Sequence, residues 1–436
     1  MTSTIAVGDL RVGMYIHLDG GWLSHPFPLS AFRITSAEEI ATIRGLGLER
    51  VRWEPQKSEL HDAAPAASLP APALGGAARA AGAAGAAAED PAVAQQRQWL
   101  AAQRQAAQRC EQQYGEASKV LREVAETVQA QPLEAGRMTT ALTQAMLDKM
   151  FAADEVAVRL VGGGGADRAA AHGLNVAVIA LLIARALGLG AEEMLDVGVG
   201  ALLHDIGKID LPTRLRHAED GFTAAEMNGY RDHVAKGVLQ AQRMGLSPGA
   251  LAVVAQHHEN ADGSGFPLRL PADRLSLGAR IVAIVNRYDN LCNPASHAIT
   301  LTPHEAVATL FAQGRSRFDP PVLNAFIRMM GVYPAGSLVQ LTDDRYAMVV
   351  GVNSTRPLKP RVLVHGEPGA RTGPRAPVSK LTQLLDLETQ PDLGIRRSLA
   401  AAKLPPAVLT ALDPRPRVAY YFEPLEPLPV ALERAA

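Results

Sequence analysis

The chain reads as mainly α, a helical core flanked by a small N-terminal α+β domain and a C-terminal β-rich appendage. Three observations predict this. Between about residues 138 and 330, apolar side chains recur at helical spacing in one segment after another. After Val332 the period falls to two, in runs such as SLVQLTDDRYAMVVGVN, RVLVH and RVAYYFEPL. Between Leu60 and Ala94, by contrast, Ala, Pro and Gly leave nothing large enough to bury, which separates the front of the chain from the rest.

Taken in order, residues 1–59 form the small N-terminal α+β domain. Short strand-like runs surround one helix, SAEEIATIRGLGL, whose Ser36 and Glu39 make a capping box. His17 and His25 read as packing or surface residues, because no acidic or cysteine partner stands at a metal-like spacing. Residues 60–94 read as a flexible linker, since Gly and Pro interrupt the alanines; a helix over AARAAGAAGAAA is the alternative. Residues 95–153 read as connecting helices. Leu100, Ala107, Tyr114, Leu121 and Val128 recur every seventh residue, with Cys110, Ala117 and Val124 three positions later, a weak coiled-coil seam that Gln103 and the alanines fill poorly. Two readings stay open here. Either the seam joins two copies as a homodimer through residues 95–131 and passes strain between the front domain and the core, or the stripe packs on the chain's own core.

Residues 154–333 carry the helical core, with segments near 138–160, 172–187, 191–206, 223–243, 248–258, 276–291, 303–314 and 320–330. The glycines at 162–165 stand just before His172 and predict a hinge there, or a loosely placed first turn. Residues 334–436 form the β-rich appendage, opening with a hairpin that turns at Asp343 and Asp344. Arg356, Lys359 and Arg361 read as its solvated face.

Composition narrows the function classes. A chain of 436 residues has room for about three domains, and a net charge of −1 makes no case for a nucleic-acid surface. Cys110 and Cys292 are too few and too far apart for a disulfide framework or a thiolate metal site. The N-terminus has no basic segment followed by an apolar core, so no signal peptide is read. The longest apolar run, LNVAVIALLIA at Leu174–Ala184, falls short of the roughly twenty residues that span a bilayer. A cytoplasmic protein without a membrane span is expected.

The chemistry concentrates in two segments, HDIGKIDLP at 204–212 and HHENADGSGFP at 257–267. His204, Asp205, His257 and His258 follow apolar helical runs and would be costly to bury unpaired; a shared metal removes that cost. His172 and His233 are further candidates, so five of the twelve histidines are candidate ligands, all between residues 172 and 258. Imidazole and carboxylate donors without thiolate suit iron, manganese or a catalytic zinc. Asp262, Gly263, Ser264 and Gly265 read as a tight turn in which Gly permits positive φ and Asp caps its own turn.

These motifs resemble an HD-GYP domain, the helical branch of the HD phosphohydrolases whose usual activity is hydrolysis of cyclic di-GMP. The resemblance covers about Asp154 to Val332. It rests on His172, HDIGK at 204–208, His233 with Gly237, HHExxDGSGFP at 257–267, RIVAIVNRYDNL at 280–291 and FDPPVL at 318–323. The segments VGDLRVGMYIHLDGGWLSHPF and FRIT resemble the small domain of unknown function often fused in front of such modules. What the HD-GYP likeness implies is a helical phosphohydrolase core holding two divalent transition ions, iron or manganese, on His172, His204, Asp205, His233, His257, His258 and Asn286. Asp205 would bridge them and share catalysis with Lys208, which would also bind the phosphate; a lysine near a helix end is otherwise a surface residue. Asp262, Gly263, Gly265, Phe266 and Arg287 would shape or contact the substrate, and Glu259 would orient rather than ligate.

The chain departs from the family pattern in four places. Phe266 stands for the Tyr that names the motif. Asn286 stands where the family has a ligand Asp, so the centre loses one negative charge, while Asp289, three residues on, is either a substitute ligand or a structural residue. Arg168 occupies the place of a Glu that holds a third metal in some members, so no more than two ions are expected. The T-S-x-R-P-Y-R stretch that grips the guanine nucleotide reads CNPASHA at 292–298, without either arginine; Arg214, Arg280 or Arg287 would have to replace them. Three classes follow: a cyclic di-GMP phosphodiesterase giving pGpG or GMP, a degenerate receptor that binds the messenger or a signalling partner, and an HD hydrolase for another phosphoester.

Overall fold

In the computed structural model the described residues are 3–18, 31–45, 48–58, 91–152, 156–162, 167–217, 221–294, 300–352, 358–366, 382–415 and 417–424. His25, Arg356 and almost all of the 60–94 segment lie outside them. The chain divides into two compact units, Met1–Ala101 and Ala102–Ala436.

The first unit contains β1 (Ser3–Ala6), β2 (Tyr15–His17), β3 (Ala31–Arg33), α1 (Ala37–Gly45) and β4 (Arg50–Trp53), with the sheet ordered β1-β4-β2-β3. Ile16, Ile34, Ile43 and Val51 form its core. The capping box predicted at α1 is present: Glu39 N donates to Ser36 Oγ at 3.2 Å, and Ser36 N donates to the Glu39 carboxylate at 3.3 Å. His17 pairs with Glu54 at 2.6 Å, an ordinary polar contact.

Helix α2 (Pro91–Thr127) begins inside the predicted linker, and α3 (Pro132–Phe151) follows it. From Cys110 onward the heptad stripe is buried against its own chain. Cys110 Sγ approaches Phe422 O at 3.6 Å, Tyr114 meets Tyr421 edge-on, and Ala117, Val124 and Val128 are inaccessible. The stripe therefore serves the chain's own core from Cys110 on, which leaves no exposed seam there for a second copy.

The core proper is α4 (Arg168–Ala186), α5 (Ala191–Leu203), α6 (Ala224–Arg231), α7 (His233–Arg243), α8 (Pro248–Gln256), α9 (Leu277–Cys292), α10 (Pro303–Arg317) and α11 (Pro320–Met330). Ser247, Ser276, Thr302 and Asp319 each accept a backbone N–H as N-caps, which sets where four of these helices start. Helix α4 is long and apolar enough to cross a membrane by length and composition, yet 72% of that window is buried within the protein, as a central core helix requires.

Two expectations are corrected. Residues 156–160 are not helical: β5 (Val156–Val161) is a strand, because VAVRLV is a β-branched run buried on both faces. The C-terminal part is β-rich as expected, and its sheet also takes in β5. Strands β6 (Leu338–Leu341), β7 (Tyr346–Val352), β8 (Arg361–His365), β9 (Thr382–Asp386), β10 (Ile395–Leu399) and β11 (Ala419–Pro424), with helix α12 (Pro406–Leu412) between the last two, build a seven-stranded sheet that includes β5. A boundary at 333/334 therefore cuts one sheet. Strand β11 pairs antiparallel with β5 along its whole length. Buried Glu423 fixes it further, accepting from Arg159 at 2.5 Å and Arg361 at 3.2 Å. Arg361 is thus an interior ion-pair partner and not part of a solvated face, and Lys359 caps the carbonyls of Gln390, Pro391 and Leu393.

Candidate metal centre

Four of the five imidazoles come from helix ends of the core. Helix α5 stops at Leu203, so His204 caps it and Asp205 turns out of helical geometry at φ −98°, ψ 8°. Helix α6 ends before Asp232 and α7 starts at His233, and α8 ends at Gln256, just before His257 and His258. His172 comes from the second turn of α4. The HDIGK turn lies directly on α7 because Gly207 has no side chain: a Cβ there would sit 2.0 Å from His233 O and 2.3 Å from Gly237 N.

The tautomers follow from the partners. Nδ1 of His204, His233 and His257 lies 2.7, 2.6 and 2.8 Å from the carbonyls of Ala201, Tyr230 and Val254. A carbonyl only accepts, so each Nδ1 carries the hydrogen and each Nε2 is a bare lone pair. His172 Nδ1 bonds the Asp289 carboxylate at 2.6 Å, with the same result. The bare nitrogens then face one another, His172 and His204 Nε2 at 3.1 Å and His233 and His257 at 3.3 Å, and His258 Nε2 lies 3.1 Å from His233 Nε2. Opposed lone pairs repel, and a cation between them removes the repulsion.

Asp205 stands between the two groups. Its Oδ2 is 3.5 Å from His172 Nε2 and 3.4 Å from His204 Nε2, while Oδ1 is 3.5 Å from His233 and 3.7 Å from His257. Oδ1 is buried and lacks a hydrogen-bond partner among the described residues. The donors therefore form two sets that share Asp205, one with His172 and His204, the other with His233, His257 and His258. An orphaned carboxylate oxygen amid imidazole nitrogens fits a divalent metal centre.

Electrostatics keep the set ready for metal. Burial pushes the pKa of His257 and His258 well below 6.5, and that of His233 down as well, so all three are neutral at neutral pH. Burial would raise Asp205, but the Lys208 ammonium and the His204 ring override it and hold the carboxyl well below its ordinary range. Lys208 Nζ donates to Asp205 Oδ2 at 2.6 Å; burial opposes its charge, yet the carboxylate wins and its pKa rises.

The other expected residues divide. Lys208 lines a cavity of about 860 Å³ together with His172, His204 and Asp205. The glycine loop does not: Gly265 and Phe266 line a smaller pocket of about 330 Å³. Phe266 stacks on His258 at 4.4 Å with Arg231 over its other side, so it braces a donor ring. Asp262 caps its turn by accepting Ser264 N at 2.9 Å, and Gly263 adopts φ 74°, the left-handed geometry read from the sequence. Glu259 is the staple of this loop, accepting from the amides of Leu268, Arg269 and Leu270 at 2.7, 3.0 and 3.1 Å. Glu259→Ala should cost about 1–3 kcal/mol by removing the charged acceptor of three loop amides, read as a lowered denaturant midpoint. Asn286 is buried with its amide oxygen engaged by Asn290 Nδ2 at 2.6 Å. Arg287 is exposed, its neighbouring charge is Arg317, and it lines neither cavity. Arg214 pairs with Glu226 and Arg280 with Asp319, so neither replaces the missing arginines.

Sequence reasoning missed Tyr230, whose carbonyl sets the His233 tautomer and whose ring lies 5.4 Å from Lys208 Nζ. It also missed His217, which lines the cavity and whose pKa burial lowers to about 4.

Comparison with known proteins agrees with this geometry. Residues 2–137 match the domain of unknown function DUF3391, and residues 106–322 match the HD domain. A cyclic di-GMP phosphodiesterase of Pseudomonas aeruginosa is 28% identical over 84% of this chain and 85% of its own length. A cyclic di-GMP phosphodiesterase response regulator of Xanthomonas campestris is 35% identical over 34% of this chain and 40% of its own. A 3'3'-cGAMP-specific phosphodiesterase of Vibrio cholerae is 31% identical over 36% of this chain and 30% of its own. A solved HD-GYP protein of Bdellovibrio bacteriovorus aligns with a TM-score of 0.38 at 14% identity, over 75% of this chain and 98% of that one. With the matched segments and the order of the motifs in agreement, the chain carries an HD domain over residues 106–322 and a DUF3391 domain over residues 2–137.

Proposed function

We propose that this protein is a metal-dependent phosphodiesterase that hydrolyses cyclic di-GMP to pGpG or GMP in bacterial second-messenger signalling. The carrying observation is Asp205, whose two oxygens face two separate imidazole groups at the wall of a cavity large enough for a nucleotide. The relative that matches over most of both chains is named for that activity. Two divalent ions, iron or manganese, would supply Lewis acidity toward a phosphoryl oxygen and lower the pKa of water held between them.

The chain's own residues do the rest. His172, His204, His233, His257 and His258 present neutral lone pairs, and Asp205 presents charge to both positions. Lys208, held cationic by Asp205, binds a phosphate oxygen; its raised pKa makes it a clamp for negative charge and a poor proton donor or acceptor.

A receptor without turnover is the second reading, favoured by Asn286, whose oxygen is occupied by Asn290. Metal content and hydrolysis by the purified protein, supplied anaerobically with iron or manganese, separate the two. The expected result is bound metal and slow cleavage, with Asn286→Asp holding the second ion more tightly. Metal-loaded protein that binds cyclic di-GMP and forms no product would establish the receptor.

A further inference from the structure

The cavity beside His172 and His204 has one wall that does not come from the HD helices. Arg415 and Arg417, on the segment that leads into β11, line it together with Arg168 from the first turn of α4.

This segment is fastened to the candidate centre by a closed network. Val418 N donates to Asn293 Oδ1 at 3.0 Å, and Val418 O accepts from Asn293 Nδ2 at 2.9 Å and from Asn175 Nδ2 at 3.0 Å. The same two amide groups donate to Asp289 Oδ1 at 2.9 and 2.8 Å, and the other oxygen of Asp289 takes His172 Nδ1. Tyr420 N closes the set on Asn175 Oδ1 at 2.9 Å. The backbone next to Arg417 is therefore locked to the carboxylate that orients a metal donor.

The side chain of Arg417 is exposed at the cavity and makes no salt bridge among the described residues. It lies near enough to Arg168 to act on it: burial first, then the positive charge of Arg417, lowers the Arg168 pKa. Arg168 donates only a long bond, 3.4 Å, to Asn293 O. Two like charges on the wall of one cavity make a site that an anion stabilises, and Asp289, the carboxylate that also acts on Arg168, is taken up by His172, Asn175 and Asn293.

We infer that Arg417 and Arg168 form an anion-binding wall that holds the second, unreacting phosphate of a cyclic dinucleotide. Asn293, in the stretch from which the family's arginines are missing, pins the segment that carries the replacement. This rests on the function proposed above, which supplies a ligand with two phosphates.

The test is calorimetric binding of cyclic di-GMP to the full-length, metal-loaded protein. Arg417→Ala should weaken binding about tenfold, as loss of one charge-assisted contact would, and Arg417→Glu should weaken it further. Metal content and thermal midpoint should match wild type in both, because the side chain is exposed. Equal affinity in all three proteins would overturn the inference and leave the proposed function standing. A loss in Arg417→Ala that Arg417→Glu does not exceed would also overturn it, since packing rather than charge would then be at work. Wild type that binds no cyclic dinucleotide would remove the proposed function and this inference together.

Discussion

Replacing Asp205 with asparagine should empty the centre of both ions and lower kcat/KM by more than about a hundredfold, because even outer partners of metal ligands cost about 10- to 100-fold when lost. The substitution keeps the shape of the side chain and removes its charge. It also places an amide N–H₂ against lone pairs of the imidazoles on one side, where a donor closes the position to a cation. Lys208 loses its only carboxylate partner at the same time. Burial, which opposes its charge, is then countered by Tyr230 without the carboxylate, and its pKa should fall. Elemental analysis of the variant beside wild type checks the first point, and a variant that still carries two ions would refute the bridging role.

The second large effect is expected at Asp289. Its Oδ1 accepts from Asn175 and Asn293, and its Oδ2 holds His172 Nδ1. Asp289→Asn can still accept the two amides, but it turns a donor toward His172. The ring must then accept at Nδ1 and carry its hydrogen on Nε2, the atom aimed at His204. Metal affinity of that position should fall about 10- to 100-fold while the fold is retained. Asp289→Ala should lose metal to a similar degree and lose stability as well, by leaving buried amides unpaired. Metal titrations paired with thermal unfolding separate the two variants. Unchanged affinity in Asp289→Asn would show that the carboxylate does not set the tautomer.

The five imidazoles and the shared aspartate were legible because they stand as doublets and short motifs at helix ends, where apolar runs stop and burial without a partner would be costly. The turn at Asp262 and Gly263 was legible for the same reason, since its chemistry is local. What escaped the sequence depends on contacts between distant positions. Asp289 looks structural until its two oxygens are seen to join α4, α9 and the segment before β11. Arg417 has no motif around it at all. The glycine loop misled in the other direction: its turn formed as expected, but Glu259 holds it away from the larger cavity. Strand β5 was read as helix because VAVRLV follows a helix and an apolar run of that length has no period of its own. Its pairing with β7 and β11 decides the matter.

That pairing also bears on the order of events during synthesis. β5 emerges early and cannot be covered until β11, far later in the chain, has left the ribosome. A long interval with an open edge favours helper proteins that shield nascent strands, and it makes maturation slow compared with a bundle of local contacts. A chain interrupted before Val418 would lack the clasp on Asp289, so unfinished copies would be quiet rather than half active.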